Sequence, residues 1–318
     1  MYCWRAQVPV HAWLLIKGIR FEGVIMGCEP ISLEIAEAVF AIEFDGCSDA
    51  PPVGDAIQSF FCTGKPQTTI HVRNLGHLNI TLSEENQVFH SGAHWRLHRV
   101  DGKTVLVSAL GPSTASPDSV VIFDPDFEGV EAYVNFSGPR RRGEILMADP
   151  RDQRLSQVFM ICFLARKRGL LLHACGVNDN GRGYLFVGNS GDGKSTIAKL
   201  WAGHAEVLND DRIILRPRNR GFWIFGTPWH GEYKSVSHRG VPLEKVFFLG
   251  SSNINIVSPV KDATAVQMLL VRSFPPLWDI DGMSFTLDFI ERLTREVPFY
   301  TLGFVPDRNI VDFVRCVK

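Results

Sequence analysis

No surplus of basic charge marks this chain: 33 Lys and Arg stand against 34 Asp and Glu, a formal net charge of −1. A general nucleic-acid binder carries a basic excess, so that class is excluded. The one dense basic run, Arg140-Arg141-Arg142, reads as a solvated linker or as a contact for an acidic partner. Long apolar runs are missing too. The stretch 158–165 is far too short to span a bilayer and leads straight into Arg166-Lys167-Arg168, so no membrane partner is expected. The seven cysteines (Cys3, Cys28, Cys47, Cys62, Cys162, Cys175 and Cys316) are odd in number and scattered. They form no Cys-x-x-Cys pair and no Cys/His cluster of zinc type, which excludes a disulfide framework and a structural zinc. With no cleavable signal pattern at the N-terminus, free thiols in a reducing cytoplasm are expected. Repeats and low-complexity segments are absent.

What is present is an ordinary globular composition, 45% hydrophobic and 21% charged, over 318 residues, enough for two domains with proper cores. The sequence predicts an α/β (α+β) chain with a β-rich N-terminal domain over 1–145 and a second domain over 150–318. Short alternating or β-branched runs recur at 68–73, 78–82, 95–100, 104–107, 120–123 and 132–136, punctuated by Gly, Pro and Asp. One amphipathic helix is expected over 31–40. His90, His94 and His98 fall four apart, but their strand-like neighbours argue against a shared metal-binding face. Gly138-Pro139 and Ala148-Asp149-Pro150 mark the boundary. A helix follows over 151–167, with Leu155, Phe159, Cys162 and Phe163 on one face. Further strands are expected at 213–216, 222–225 and 246–249. The C-terminal end reads as helical, with stripes Phe285/Phe289/Leu293 and Ile310/Phe313/Val314.

Residues Gly188, Asn189, Ser190, Gly191, Asp192, Gly193, Lys194 and Ser195 form a complete phosphate-loop pattern. The apolar run Tyr184-Leu185-Phe186-Val187 precedes it. After it, from Thr196 on, Ile197, Leu200 and Trp201 repeat at helical spacing. Strand, glycine loop and helix is the context in which such a loop cradles phosphates. Gly188, Gly191 and Gly193 let successive N–H groups turn inward as an anion nest, and the helix adds its positive end. Lys194 would reach the outer phosphates and Ser195 would ligate Mg²⁺. A guanine-specific Asn-Lys-x-Asp, a transporter-type Leu-Ser-Gly-Gly-Gln and the protein-kinase His-Arg-Asp and Asp-Phe-Gly set are all missing.

One helix and a turn later, an apolar strand ends in Asp210-Asp211. Phosphoryl transfer to an alcohol needs a carboxylate for Mg²⁺ and a group to take the hydroxyl proton. Two adjacent aspartates divide those tasks only if a turn starts there, because a continuing strand would point them to opposite faces. His173 closes the apolar run Leu170-Leu171-Leu172. It is either a hydrogen-bonded structural residue or a neighbour of the transferred phosphoryl group or of the catalytic carboxylate. Gly226-Thr227-Pro228-Trp229-His230-Gly231-Glu232 reads as a Pro/Gly turn around a buried Trp, or as a close-approach segment whose Glu232 completes a metal shell.

His173-Ala174-Cys175-Gly176-Val177, the loop from Phe186 to Ser195, and Asn209-Asp210-Asp211 resemble the catalytic domain of bacterial HPr kinase/phosphorylase and its related kinases. Gly226 to Glu232 is similar to a Gly-x-Pro-Trp-x-Gly segment of those related kinases, some of which phosphorylate a serine on peptide precursors. The resemblance covers about half the chain, from Leu170 onward, and is strongest between His173 and Glu232. It implies a nucleotide domain like that of phosphoenolpyruvate carboxykinase, with ATP and Mg²⁺ as cofactors. In this chain it implies Lys194 on the β- and γ-phosphates, and Ser195, Glu232 and Asp210 around Mg²⁺. It further implies Asp211 or Asp210 as base, His173 in support and Arg272 as a late catalytic arginine. The family's phosphorylase signature has no counterpart here, and the N-terminal half does not match that of the parent enzyme. HPr as substrate and hexameric assembly are therefore not carried over, although a homo-oligomer is compatible with the family. The expectation is a kinase acting on a serine of a protein or peptide, with two alternatives: a free amino acid as acceptor, and an ATP-binding regulatory module.

Overall fold

A computed structural model describes residues 30–45, 55–92, 94–108, 117–134, 153–167, 169–218 and 221–318. The architecture is mixed α/β, two large sheets with few helices. The expected boundary at 138–150 lies outside the described residues, as do Cys3, Cys28, Cys47 and the run Arg140-Arg141-Arg142. Among the described residues no helix is long and apolar enough to cross a membrane.

The first sheet holds β1 (Ile31–Ile35), β2 (Ala38–Phe44), β3 (Thr68–Asn74), β4 (Gln87–His90), β5 (Trp95–Val100), β6 (Lys103–Ser108), β7 (Ser119–Phe123) and β8 (Val130–Val134). Their spatial order is β1-β2-β3-β8-β7-β6-β5-β4. β3 is parallel to both its neighbours, and the other pairs are antiparallel. A helical turn α1 (Asp55–Gln58) joins β2 to β3. The helix expected over 31–40 is instead the β1–β2 hairpin. Burial alternates along β1, and Ala36 and Glu37 turn the chain with φ of 49° and 68°. Left-handed backbone at two non-glycine residues is a turn that local composition does not announce. Residues 78–82 form no strand, and Leu78, Ile80 and Leu82 pack against the core as irregular chain. His90 and His98 stand on paired strands rather than along one helix face.

Helix α2 (Gln153–Lys167) is apolar nearly all round, which fits burial on two sides rather than one. Phe159 and Phe163 meet Phe40, Phe123 and Phe127 edge-on, at centroid distances of 5.0 to 6.2 Å. The same core takes in Leu171, Ile214, Phe225 and Trp229 from the second sheet. Each buried Phe contributes about 1.5–3 kcal/mol, so α2 is the main weld between the two sheets. Arg216 adds a hydrogen bond to the Ala36 carbonyl at 2.7 Å.

The second sheet holds β9 (Leu170–Asp179), β10 (Arg182–Val187), β11 (Glu206–Asn209), β12 (Arg212–Arg218), β13 (Gly221–Phe225), β14 (Gly240–Ser251), β15 (Ile256–Val260) and β16 (Phe299–Phe304). Its helices are α3 (Lys194–Trp201), α4 (Asp262–Leu270), α5 (Ile280–Glu296) and α6 (Asn309–Cys316). β9 extends well past the apolar run Leu170-Leu171-Leu172. Its first half pairs with β12 and its second half with β10 and β11. β14 pairs early with β13, then runs parallel to β10 and β16. The links β9–β12–β13–β14–β10–β9 thus close into a ring. α3 and α6 cover one face, α4 and α5 the other. The C-terminal stripes fall where the sequence puts them: Phe289 and Leu293 are buried on α5, Ile310 and Val314 on α6.

Candidate functional site

The glycine segment 188–193 joins the end of β10 to the start of α3, beyond the last β9–β10 pair, Ala174–Val187. Gly193 begins the helix in left-handed backbone, φ 96°, and a Cβ there would lie 2.8 Å from the Phe304 ring. Both conditions demand glycine. The Asp192 carboxylate accepts from Asn189 N at 2.5 Å, while Ser190 and Gly191 are exposed. Lys194 is buried and folds back on the loop, its ammonium donating to the carbonyls of Asn189 (2.7 Å) and Gly188 (3.1 Å). Burial pulls its pKa below the ordinary lysine value, against the opposing pull of Asp211, Asp192 and Asp210. Thr196 follows in the first turn of α3.

Asp210 and Asp211 occupy the turn between β11 and β12, so the two carboxylates are free to serve one site. Asp210 is fully buried. Its Oδ2 accepts from Ser195 Oγ at 2.6 Å and from Tyr233 N at 2.9 Å, and its Oδ1 from Gly231 N at 2.8 Å. A Cβ on Gly231 would sit 3.0 Å from the Asp210 carboxylate, so glycine lets the backbone donor come this close. Asp211 is about one quarter exposed. Its Oδ1 lies 2.9 Å from His173 Nε2 and its Oδ2 2.7 Å from an Arg212 guanidinium nitrogen. Burial pushes its pKa up. The His173 hydrogen bond and the charges of Arg212, His173 and Lys194 outweigh that and hold the carboxyl below its usual range.

Asn209 organises the turn. Buried completely, it accepts from the backbone N–H of Asp211 (2.7 Å) and Arg212 (3.0 Å) and donates to the carbonyls of Thr227 (2.8 Å) and Trp229 (2.9 Å). Trp229 is also buried, and its Nε1 donates to Ser156 of α2 at 3.0 Å. Arg212 donates to Gln157 of α2 at 3.0 Å and stacks 4.6 Å above the Phe274 ring. Sequence reasoning missed the parts played by Asn209, Arg212, Ser156 and Gln157. Only the Asn beside the acidic pair was a signal, since the α2 partners are 55 and 73 residues away in the chain.

Two expected residues stand apart. The Glu232 carboxylate, 80% exposed, lies 3.7 Å from Lys199 and is not among the partners of Asp210. The backbone carbonyl of Arg272 accepts from His173 N at 2.9 Å, but its guanidinium donates to Met268 O and reaches no aspartate. Cys162 and Cys175 are buried free thiols. Burial pushes both up, Cys162 to about 12, which suits structural rather than nucleophilic cysteines. A cleft of about 1100 Å³ opens elsewhere, between α4, α5 and the Val260–Phe299 end of the β15–β16 pair, and includes none of these groups.

Ser195 and Asp210 are oxygen donors suited to Mg²⁺. Among the described residues, the hydrogen bonds to Asp210 all come from neutral donors. Among the described residues no three His, Cys, Asp or Glu side chains gather to hold a metal. No protein-family model matches the chain, and no curated protein matches it.

Proposed function

We propose that this protein is an ATP- and Mg²⁺-dependent kinase that transfers the γ-phosphoryl group to a serine hydroxyl of a protein or peptide in the cytoplasm. Its second sheet would then be a phosphate-loop domain of the HPr kinase and phosphoenolpyruvate carboxykinase type. The single observation that carries the reading is the 2.6 Å bond from Ser195 to the buried Asp210. It joins the helix start behind the glycine loop to the acidic turn, beside the Asp211–His173 pair. A bare glycine turn needs neither a buried carboxylate nor a second, partly exposed one next to it.

In this mechanism the N–H groups of 188–193 and the N-terminus of α3 receive the phosphates. Lys194 moves from the Gly188 and Asn189 carbonyls to the β- and γ-phosphates. Mg²⁺, held by Ser195 and Asp210, would neutralise charge on the β- and γ-oxygens. Asp211 and His173 form the proton-accepting side, next to where the acceptor hydroxyl must stand. Catalysis is then mostly positioning and charge stabilisation.

The test uses purified protein, Mg²⁺ and γ-labelled ATP with a lysate of the source organism fractionated by size, beside Lys194→Ala. Label on a polypeptide with the wild type alone supports the reading. Label in the small-molecule fraction points to a metabolite kinase, and transfer by Lys194→Ala at the wild-type rate sinks the scheme. Tight ATP binding without transfer would favour a regulatory module.

A further inference from the structure

We infer that the imidazole of His173, with Asp211 behind it, is the group that takes the proton from the acceptor hydroxyl. The assignment rests on the kinase reading and reverses the obvious division of labour, in which Asp211 is the base. Both Asp211 oxygens are already engaged, Oδ1 by His173 Nε2 at 2.9 Å and Oδ2 by Arg212 at 2.7 Å. The Arg212 contact is not a loose surface pair. Its guanidinium is pinned by Gln157 at 3.0 Å and by the Phe274 ring at 4.6 Å. With one donor fixed on each oxygen, the carboxylate is held in place and its charge is directed at the imidazole and the guanidinium, as an orienting group's is.

His173 has the complementary arrangement. Its Nε2–H donates to Asp211, so in the neutral ring Nδ1 carries the lone pair. None of the described residues makes a hydrogen bond to Nδ1, and the side chain is 25% exposed. The backbone is fixed. His173 N donates to Arg272 O at 2.9 Å, and its strand partner is Arg212. One step along β9, Ala174 pairs with Val187, so His173 stands beside the start of the glycine loop. A carboxylate that orients an imidazole through one nitrogen and leaves the other to take a proton is the arrangement of nucleophile-activating triads.

In the step so assigned, the acceptor oxygen forms a bond to the γ-phosphorus as its proton passes to His173 Nδ1. The bond between that phosphorus and the β,γ-bridging oxygen breaks, and ADP leaves with the electron pair. The imidazolium, stabilised by Asp211, then returns its proton to water. The products are the phosphate ester, ADP and one proton.

The experiment measures label transfer from γ-labelled ATP to the lysate fraction that the wild type labels, with ATP affinity measured in parallel. His173→Gln keeps an N–H for Asp211 but has no base, and His173→Gly leaves room for added imidazole. The assignment expects both variants to bind ATP within about threefold of wild type and to lose roughly 100- to 10,000-fold in transfer. It expects imidazole to restore activity to His173→Gly but not to Asp211→Asn. Transfer by His173→Gln within a few-fold of wild type would reduce His173 to a positioning residue and overturn the assignment. So would rescue of Asp211→Gly by formate without rescue of His173→Gly by imidazole. A wild type that labels nothing overturns the kinase reading itself, and the assignment with it.

Discussion

The second sheet buries two carboxylates completely, one at each end, and treats them in opposite ways. At the β9–β10 hairpin, Asp179 receives two bonds from Arg315 (2.8 and 2.9 Å), one from Arg182 (3.2 Å) and one from the Asn180 amide (3.2 Å). At the glycine-loop end, Asp210 receives a hydroxyl and two backbone N–H groups, and no cation donates to it. A buried charge is costly unless paired. Asp179 is neutralised in place and ties α6 to the hairpin. Asp210 is oriented by neutral donors and has no ion-pair partner within contact distance among the described residues, although the Lys194 charge is near enough to interact with it. Equal burial thus goes with charged donors at one carboxylate and with neutral donors at the other.

The sharpest way to break this contrast is to neutralise each carboxylate in turn. Asp210→Asn should cut phosphoryl transfer by roughly 100- to 1,000-fold, about 3–4 kcal/mol, a range typical of losing one charge-stabilising group. Steady-state label transfer reads this, and an unchanged rate would make Asp210 as structural as Asp179. Asp179→Asn should instead cost about 2 kcal/mol of folding stability in denaturant titration. That is below the full penalty of a broken buried pair because Arg315 and Arg182 reach solvent. ATP affinity should be untouched. The Arg315 hydrogen bond, with the charges of Arg315 and Arg182, holds the Asp179 carboxyl below its ordinary value despite burial. Its contribution is therefore complete above the unfolded pKa of about 3.9 and is lost as pH falls through the lower folded value. Asp179→Asn should flatten the acid side of the stability curve, and an unchanged slope below pH 4 would contradict this.

Smaller effects sharpen the picture. Gly231→Ala pushes a methyl group to about 3 Å from the Asp210 carboxylate. It should weaken Mg²⁺-dependent ATP binding about tenfold, or ~1.4 kcal/mol, in calorimetric titration. Binding at wild-type strength would mean that the 231–233 backbone can retreat without consequence. Asp192→Asn removes a negative charge from the loop that would receive the phosphates on this reading. ATP affinity should rise about two- to fivefold, within the 0.3–1 kcal/mol of a charge at a helix N-terminus. Weaker binding would show instead that the Asp192–Asn189 bond shapes the nest.

Much of the site was legible in the sequence because its parts are local. The loop, its flanking strand and helix, and the acidic turn all lie within 184–211. The chain also places His173 beside Asp211, a contact that no spacing rule gives; the family resemblance implies only that His173 supports whichever of Asp211 and Asp210 is the base. What could not be read is the support. Trp229–Ser156 and Arg212–Gln157 link residues that meet only because α2 is buried between the sheets. The misread stretch 31–40 has a similar cause. Its apolar residues suit a helix until Ala36 and Glu37, neither a turn former, adopt left-handed backbone and fold it into a hairpin. Arg272 and Glu232 show the reverse: the resemblance implies both as site residues, yet each side chain is engaged elsewhere.

The central claim is that the glycine loop and Asp210 together bind a Mg²⁺–nucleotide. Calorimetric titration of ATP into the wild type and Lys194→Ala, with and without Mg²⁺, tests it most directly. The account predicts saturable binding by the wild type that strengthens at least tenfold with Mg²⁺ and is lost in Lys194→Ala. A wild type that ignores ATP, or a Lys194→Ala variant that binds it equally well, would contradict it.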